Sequence, residues 1–420
     1  MVKVYEHDVS YRWIILGVIF GSQFVASMAA HGWGPLAPFL KKVMTLDNTE
    51  IGIISSSFHA AGTLSVFPAG VMIDRYGVRK GLLSWLGITG FPLLFLSFFH
   101  HHYSILLIMV ALGGFGYAIG NPAGAKGLYV WFHKKTRGTV FGIRQSAVTG
   151  GGALSGILLV HIAQASGPFV ALRTVCWMIM AMMVLTFLLY REPAGDEDSA
   201  VEKGSNDALP MIVGLRGVFS NMVLLKASMI AGILGLVQGA VVTFFLLFIN
   251  ERLGYSLLAA GSLFTMFMIS GAAGRILWGV VSDRMFSGSR KPVLMLICGV
   301  GIVSVTLLAL WVSTWPHWLF IPVVIGIGVS SWGWNGIYLV LVAELSDRTR
   351  TATSVGFGVT LSWFGFSLGP AWFGSMTDQF GYCYAWLSVA VFCTFAFLLC
   401  LLIPGSEGRA ERKSRGRSSR

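Results

Sequence analysis

Runs of about 20 apolar residues return again and again along this chain, separated by short polar breaks, and that recurrence constrains the fold more than any other feature. The runs lie near 12–40, 49–71, 81–99, 104–132, 138–162 and 168–190, then near 222–249, 256–282, 292–313, 316–343, 351–376 and 382–403. A helix needs about 20 apolar residues to cross the hydrocarbon core of a bilayer. Hydrophobic residues make up 55% of the 420 and charged residues only 11%, against roughly 25% charged in soluble domains. A soluble protein this apolar could not cover its surface. The 52 glycines and 13 prolines fit a membrane bundle, where glycine lets helices approach closely and neighbours satisfy backbone freed at proline.

Residues 191–220 form the only long polar stretch inside the chain, with Glu192, Asp196, Glu197, Asp198, Glu202 and Asp207 among glycine and serine. That is a linker composition. The expected organisation is a six-helix bundle over 1–190, a linker over 191–220, a second six-helix bundle over 221–405 and a basic tail over 406–420. With the N-terminus placed in the cytoplasm, the inner loops and tails hold 23 Lys and Arg and the outer loops 3, namely Lys41, Lys42 and Arg252. This asymmetry predicts both termini inside and an even number of spans. The first run could pass for a signal peptide, but its length and the many later spans predict an uncleaved first helix. The expected location is a cell (inner) membrane.

The net charge of +12 does not indicate nucleic-acid binding, because the basic residues sit in short loops between apolar runs. The tail Arg409–Arg420 suits anionic headgroups. Cys176, Cys298, Cys383, Cys393 and Cys400 lie in or near apolar runs with no CxxC, so no disulfide and no metal site is expected. His100-His101-His102 reads as a solvated loop. With no P-loop and no long soluble domain, a primary pump is disfavoured, and neither an enzyme nor a cofactor is expected.

The two sets of spans look related. Shifted by 214 positions, Gly114 falls on Gly328, Asn121 on Asn335, Thr139 on Thr353, Gly142 on Gly356, Gly151 on Gly365 and Leu154 on Leu368. Shifted by 209, Gly70-x-x-x-Asp74-Arg75 falls on Gly279-x-x-x-Asp283-Arg284. Internal symmetry of this kind marks transporters.

After the second span comes Gly70-Val-Met-Ile-Asp74-Arg75-Tyr-Gly77-Val-Arg79-Lys80. This resembles the signature loop of the major facilitator superfamily, and the weaker copy Gly279–Arg284 with Arg290-Lys291 lies between spans 8 and 9, as in that superfamily. The resemblance covers the whole chain and implies an all-α membrane protein with twelve transmembrane helices in two pseudo-symmetric six-helix bundles, working as a secondary transporter by alternating access. Asp74 can meet a facing helix N-terminus or an arginine, a contact that could latch one conformation. Arg75, Arg79, Asp283 and Arg284 belong to the same two gating loops, where the basic residues also serve as topology determinants.

Four basic residues remain outside the loops: Lys126, Arg144, Arg173 and Arg275. Arg173 is expected to snorkel from the outer start of span 6. The other three lie about six or seven residues from the inner ends of spans 4, 5 and 8, on the order of 10 Å inside at 1.5 Å per residue. No acid is expected deep in a span, with Glu50, Glu251, Glu344 and Asp378 at span ends, so these cations lack an evident acidic partner. Such charges face a wet cavity or a ligand, which suggests an anionic substrate. The alternative for each is snorkelling or capping of a helix end.

Gly274-Arg275-x-x-x-Gly279-x-x-x-Asp283 resembles span 8 of monocarboxylate transporters, oxalate–formate exchangers and nitrate porters, where the resemblance implies that the arginine contacts the anion. The chain departs from each. Gly271 stands where monocarboxylate transporters have an aspartate, and Trp33-Gly34 lies near the place of their lysine. Residues 351–378 contain no Lys or Arg, unlike the oxalate exchanger, and Val66 replaces the second arginine of nitrate porters. Met109 or Val110 stands where many proton-coupled members have an arginine. Span 5 has Gly150-Gly151-Gly152 and Gly156 without the Gly-Pro pair of drug antiporters.

Further candidates for a substrate site are Asn121, Asn335, Gln145, Gln238, Trp334 and Tyr338, with Trp332 beside them. Amides can satisfy substrate oxygens and aromatics shape an apolar flank; helix–helix hydrogen bonding and packing are the alternatives. His31 and His59 are candidates for proton coupling or simple packing. The expected function is transport of a small organic anion, a carboxylate, coupled to protons or a counter-anion, by a monomer in the lipid bilayer. Competing expectations are an inorganic anion porter for nitrate, nitrite or cyanate, proton-coupled drug efflux, and a non-transporting membrane sensor.

Overall fold

The computed structural model describes residues 11–99, 102–192, 221–312, 315–346 and 351–403. The basic tail, most of the linker, His100 and His101 lie outside the described residues. All the regular structure among the described residues is helical. Span 1 is α1 (Tyr11–His31) followed by α2 (Trp33–Met44), with a break at Gly32. Spans 2 to 6 are α3 (Asn48–Tyr76), α4 (Val78–Leu96), α5 (Tyr103–Trp131), α6 (Lys134–Ser166) and α7 (Pro168–Leu189). Spans 7 to 9 are α8 (Met222–Glu251), α9 (Leu257–Met285) and α10 (Arg290–Ala309). Span 10 is α11 (Phe320–Ser331) plus α12 (Trp334–Leu345), and α13 (Thr351–Leu401) contains spans 11 and 12.

Among the described residues, nine helical stretches are long and apolar enough to cross a membrane. One of them, Thr353–Leu401, holds two spans, because Gly381 interrupts it with φ 83° and ψ 167°. The less apolar α3 and α4 complete the twelve. Helix α3 carries Ser55, Ser56, Ser57 and His59 within its apolar run, and its start is fixed by a capping box. Asp47 Oδ1 accepts from the Glu50 N–H at 2.7 Å and Glu50 Oε2 accepts from the Asp47 N–H at 3.0 Å, which satisfies two of the donors a helix start leaves open.

Two features carry the internal repeat into three dimensions. Gly167, between spans 5 and 6, has φ 90° and ψ 162°, nearly the values of Gly381 between spans 11 and 12. The two positions are 214 apart, the same shift that aligns the sequences. That backbone region is open essentially to glycine alone. The second feature is a close helix crossing. A Cβ on Gly114 of span 4 would fall on the carbonyl oxygen of Phe58 in span 2, and a Cβ on Gly328 of span 10 would fall on that of Phe267 in span 8. Glycine is needed at both crossings because the backbones touch.

The chain divides into two compact units. The first comprises residues up to Asn206 together with Val242–Thr265; the second comprises Asp207–Val241 and everything from Met266. In the first, span 4 packs on spans 2 and 3, and span 1 on spans 5 and 6. In the second, Trp278, Val293, Ile297, Trp334, Tyr338 and Ala396 belong to one buried apolar core.

Candidate functional site

The polar interior of the first unit is built around Arg144. It stands ten positions after Lys134, the first residue of α6, or ~15 Å along the helix at 1.5 Å per residue. Its side chain is 5% exposed, so it does not snorkel. Nη2 donates to Gln23 Oε1 at 2.9 Å, to the Gly120 carbonyl at 3.0 Å and to Asn121 Oδ1 at 3.3 Å. Gln23 Nε2 donates to Ser27 Oγ at 3.1 Å and to Tyr117 Oη at 3.5 Å, and the Ser27 and Tyr117 hydroxyls are 3.3 Å apart. Spans 1, 4 and 5 thus share one buried network of amides, hydroxyls and a guanidinium.

No carboxylate among the described residues pairs with Arg144, and its partners are all neutral oxygens. Its Nε is buried without a hydrogen bond. A cation in this setting is costly unless an anion arrives to balance it. The sequence reading singled out Arg144 and Asn121 but missed Gln23, Ser27 and Tyr117. Gln23 was the available signal, an amide midway along the first apolar run.

Gly124 makes room for this arginine. A Cβ there would lie 2.7 Å from Arg144 Nε and 3.0 Å from Cζ. Gly124→Val should therefore push the guanidinium off span 4 and, for a substrate held by Arg144, lower affinity by about tenfold, the loss of one charge-assisted contact of ~1.5 kcal/mol. A binding isotherm unchanged from wild type would remove Gly124 from the site.

Lys126 corrects the expectation that the span cations lack acidic partners. Its Nζ lies 2.7 Å from Asp74 Oδ1. Lys126 is five positions before Trp131, the last residue of α5, close enough to the helix end for a long side chain to reach the signature loop. The pair ties span 4 to the end of span 2. In the second unit Arg290 Nη1 lies 2.6 Å from Asp283 and its Nε 3.6 Å from Glu344, tying spans 8 and 9 to span 10. Arg79 Nη2 donates to the Phe187 carbonyl at 2.5 Å. Arg75 stacks on Tyr76 at 5.4 Å, and Arg284 is exposed. Asp74→Asn should slow transport while leaving the protein inserted and folded, and exchanging the charges (Asp74→Lys with Lys126→Asp) should restore part of the rate. Wild-type rates in Asp74→Asn would rule out the latch.

Arg275 stands ten positions before Met285, the last residue of α9. Its Nε donates to the Trp332 carbonyl at 3.2 Å and its guanidinium lies 5.6 Å from the Trp332 ring centre. Asn335 Nδ2 donates to the same carbonyl at 3.4 Å. That carbonyl lies at the break between α11 and α12, so both side chains serve the freed backbone there. Trp334 and Tyr338 belong to the buried apolar core of this unit, with ring centres 5.6 Å apart. Gln238 is buried with no hydrogen bond among the described residues, whereas Gln145 is exposed. Arg173 donates to the Ser97 carbonyl at 2.8 Å and stacks on Phe98. His31 and His59 are both buried and their rings stack with centres 6.4 Å apart. Phe58 touches both His59 and Tyr117, which sets the histidines beside the Arg144 network.

Residues 19–370 match the sequence model of the Major Facilitator Superfamily. The chain is 27% identical over 411 residues to an uncharacterized MFS-type transporter of Mycobacterium tuberculosis, covering 96% of this chain and 88% of that one. It is 24% identical over 388 residues to the membrane sensor protein UhpC of Escherichia coli, covering 88% and 87%. It is 25% identical over 390 residues to a probable hexose phosphate transport protein of Chlamydia pneumoniae, covering 87% and 85%. A crystal structure of a mutant of the nucleoside transporter NupG has the same fold, with a TM-score of 0.78, 16% identity and coverage of 93% and 99%. The anion-porter subfamilies that span 8 resembles are not among these. With its twelve spans, its signature loop and a match over nearly its whole length, the chain belongs to the Major Facilitator Superfamily and is an integral, multi-pass membrane transporter.

Proposed function

We propose that this transporter carries a small organic anion with a carboxylate group, by alternating access coupled to protons or a counter-anion. The observation that supports the reading best is Arg144, a 5% exposed cation about a third of the way along span 5, whose hydrogen-bond partners are all neutral. Arginine suits the role because its planar fork meets a carboxylate in two-point contact and keeps its proton. Asn121 and Gln23 would orient the anion from the same unit, and Gln238 and Arg275 are the candidates in the second unit. The names of relatives agree with an anionic cargo: a probable hexose phosphate transport protein in Chlamydia pneumoniae and a hexuronate transporter in Bacillus subtilis. Asp74, Arg75, Arg79, Asp283 and Arg284 would act in gating, and the stacked His31 and His59 as the proton-linked pair. Both termini would lie in the cytoplasm, with the monomer in the cell membrane.

The test is uptake into proteoliposomes of labelled short carboxylates, sugar acids, sugar phosphates, nitrate and an apolar drug, each with and without a pH gradient. Carboxylate uptake that competes with other organic anions supports the reading; uptake of nitrate alone, or gradient-driven export of the drug alone, overturns it. A second reading follows from the relative named a membrane sensor protein: the same anion would bind without being moved, so saturable binding with no flux would favour it.

A further inference from the structure

We infer that the ends of spans 1, 4, 5 and 6 form a binding site for the headgroup of an anionic phospholipid. Three arginines there stand on aromatic rings that are linked to one another through residues 129–132. Arg12 lies 5.7 Å from the ring centre of Trp13 and 5.9 Å from that of Phe132. Arg137 lies over the Tyr129 ring at 3.4 Å and donates to the carbonyls of Phe132 and Tyr129, both at 2.9 Å. Arg191 lies 5.0 Å from the ring centre of Tyr11, which in turn packs 5.8 Å from Trp131. The rings of Trp13 and Phe132 are in edge contact at 5.7 Å. Residues 129–132 therefore join all three cations.

None of the three pairs with a carboxylate among the described residues. Arg12 and Arg191 make ring contacts and no hydrogen bonds there, and Arg137 bonds two carbonyls, leaving its Nη1 open. The neighbouring carboxylate, Glu192, is taken by the backbone N–H of Arg79 at 2.8 Å. Three cations carried on one set of linked rings, with no carboxylate paired to them among the described residues, make a positive patch that a phosphate would neutralise. The ring faces hold the guanidinium groups in place.

Lipid is favoured as the source of the phosphate by what surrounds the arginines. Trp13 is 53% and Tyr129 57% exposed, with Ile14 and Val130 also exposed beside them. These large side chains stand at helix ends, where tryptophan and tyrosine settle at headgroup level, and they would flank the upper acyl chains while the arginines hold the phosphate. Basic pockets between span ends recognise lipid headgroups in this way. A soluble anion would gain nothing from the apolar flank.

The experiment uses the full chain in nanodiscs of phosphatidylcholine alone or with phosphatidylglycerol, reading lipids retained by native mass spectrometry and the melting temperature. Wild type should retain phosphatidylglycerol severalfold over phosphatidylcholine and melt higher in its presence. Arg12→Gln, Arg137→Gln and Arg191→Gln should each reduce both effects, and the triple variant should abolish the preference. Lys80→Gln removes one charge from another basic loop and should leave the preference intact. If the triple variant fails to insert, the single variants carry the test. An equal loss in Lys80→Gln would show a diffuse charge effect, and the same stabilisation by inorganic phosphate or glycerol phosphate in phosphatidylcholine would show a soluble anion site; either overturns the proposal.

Discussion

Arg144→Ala should abolish uptake of the anion and weaken its binding by about ten- to more than a hundredfold, the ~1.5–3 kcal/mol of a lost charge-assisted contact. Arg144→Lys keeps the charge and loses the planar fork, so it should fall between. The same guanidinium holds Gln23, Gly120 and Asn121 together, so removing it could also loosen the bundle. A purely structural arginine and a substrate arginine differ in one measurable way. If the anion neutralises Arg144, adding it should raise the melting temperature of the wild type and not that of Arg144→Gln, which retains an amide donor for the network. Equal stabilisation of both proteins by the anion would withdraw Arg144 from the site.

The fold was legible because bilayer thickness dictates the length of each apolar run, and because Asp74-Arg75 and Asp283-Arg284 recur at equivalent span ends. The repeated Gly114 and Gly328 could be read only as a pattern; that each sits on a phenylalanine carbonyl required the structure. The breaks in span 1 at Gly32 and in span 10 before Trp334 were not foreseen. Both lie in glycine- and tryptophan-rich stretches with one strongly polar residue beside the break, His31 in span 1 and Asn335 in span 10, and so short a dip does not divide a long apolar run.

The candidate site was legible in part, and the missing part has a physical cause. Counting along the chain gives the depth of a residue, and it placed Arg144 and Arg275 well inside their spans. It does not give the rotation of a helix about its axis, because in a bilayer the lipid-facing and core-facing sides are both apolar. Gln145 and Arg144 are sequence neighbours, yet one is exposed and the other buried. The same ignorance of rotation hid the reach of Lys126 to Asp74, and it left Trp334 and Tyr338 as candidate cavity walls when they pack in the core of the second unit.

Arg275→Ala should also nearly abolish anion binding, with Arg275→Lys weaker than wild type, if its guanidinium serves the substrate. The geometry sets a second role against this one. Arg275 lies at the C-terminal end of α11, where the carbonyls carry partial negative charge, and it bonds the Trp332 carbonyl at 3.2 Å beside the Trp332 ring. As a cap alone, Arg275 would stabilise the break in span 10 and leave affinity untouched. The two roles separate on lysine. A lysine can still reach one carbonyl, so a cap should survive Arg275→Lys with little change in melting temperature, while a two-point contact with a carboxylate should not survive it. The decisive comparison is therefore the anion affinity of Arg275→Lys on protein shown to be inserted and folded. A fall of about tenfold or more keeps Arg275 in the site; an unchanged affinity leaves it as the cap of span 10 and Arg144 as the cation on which anion binding depends.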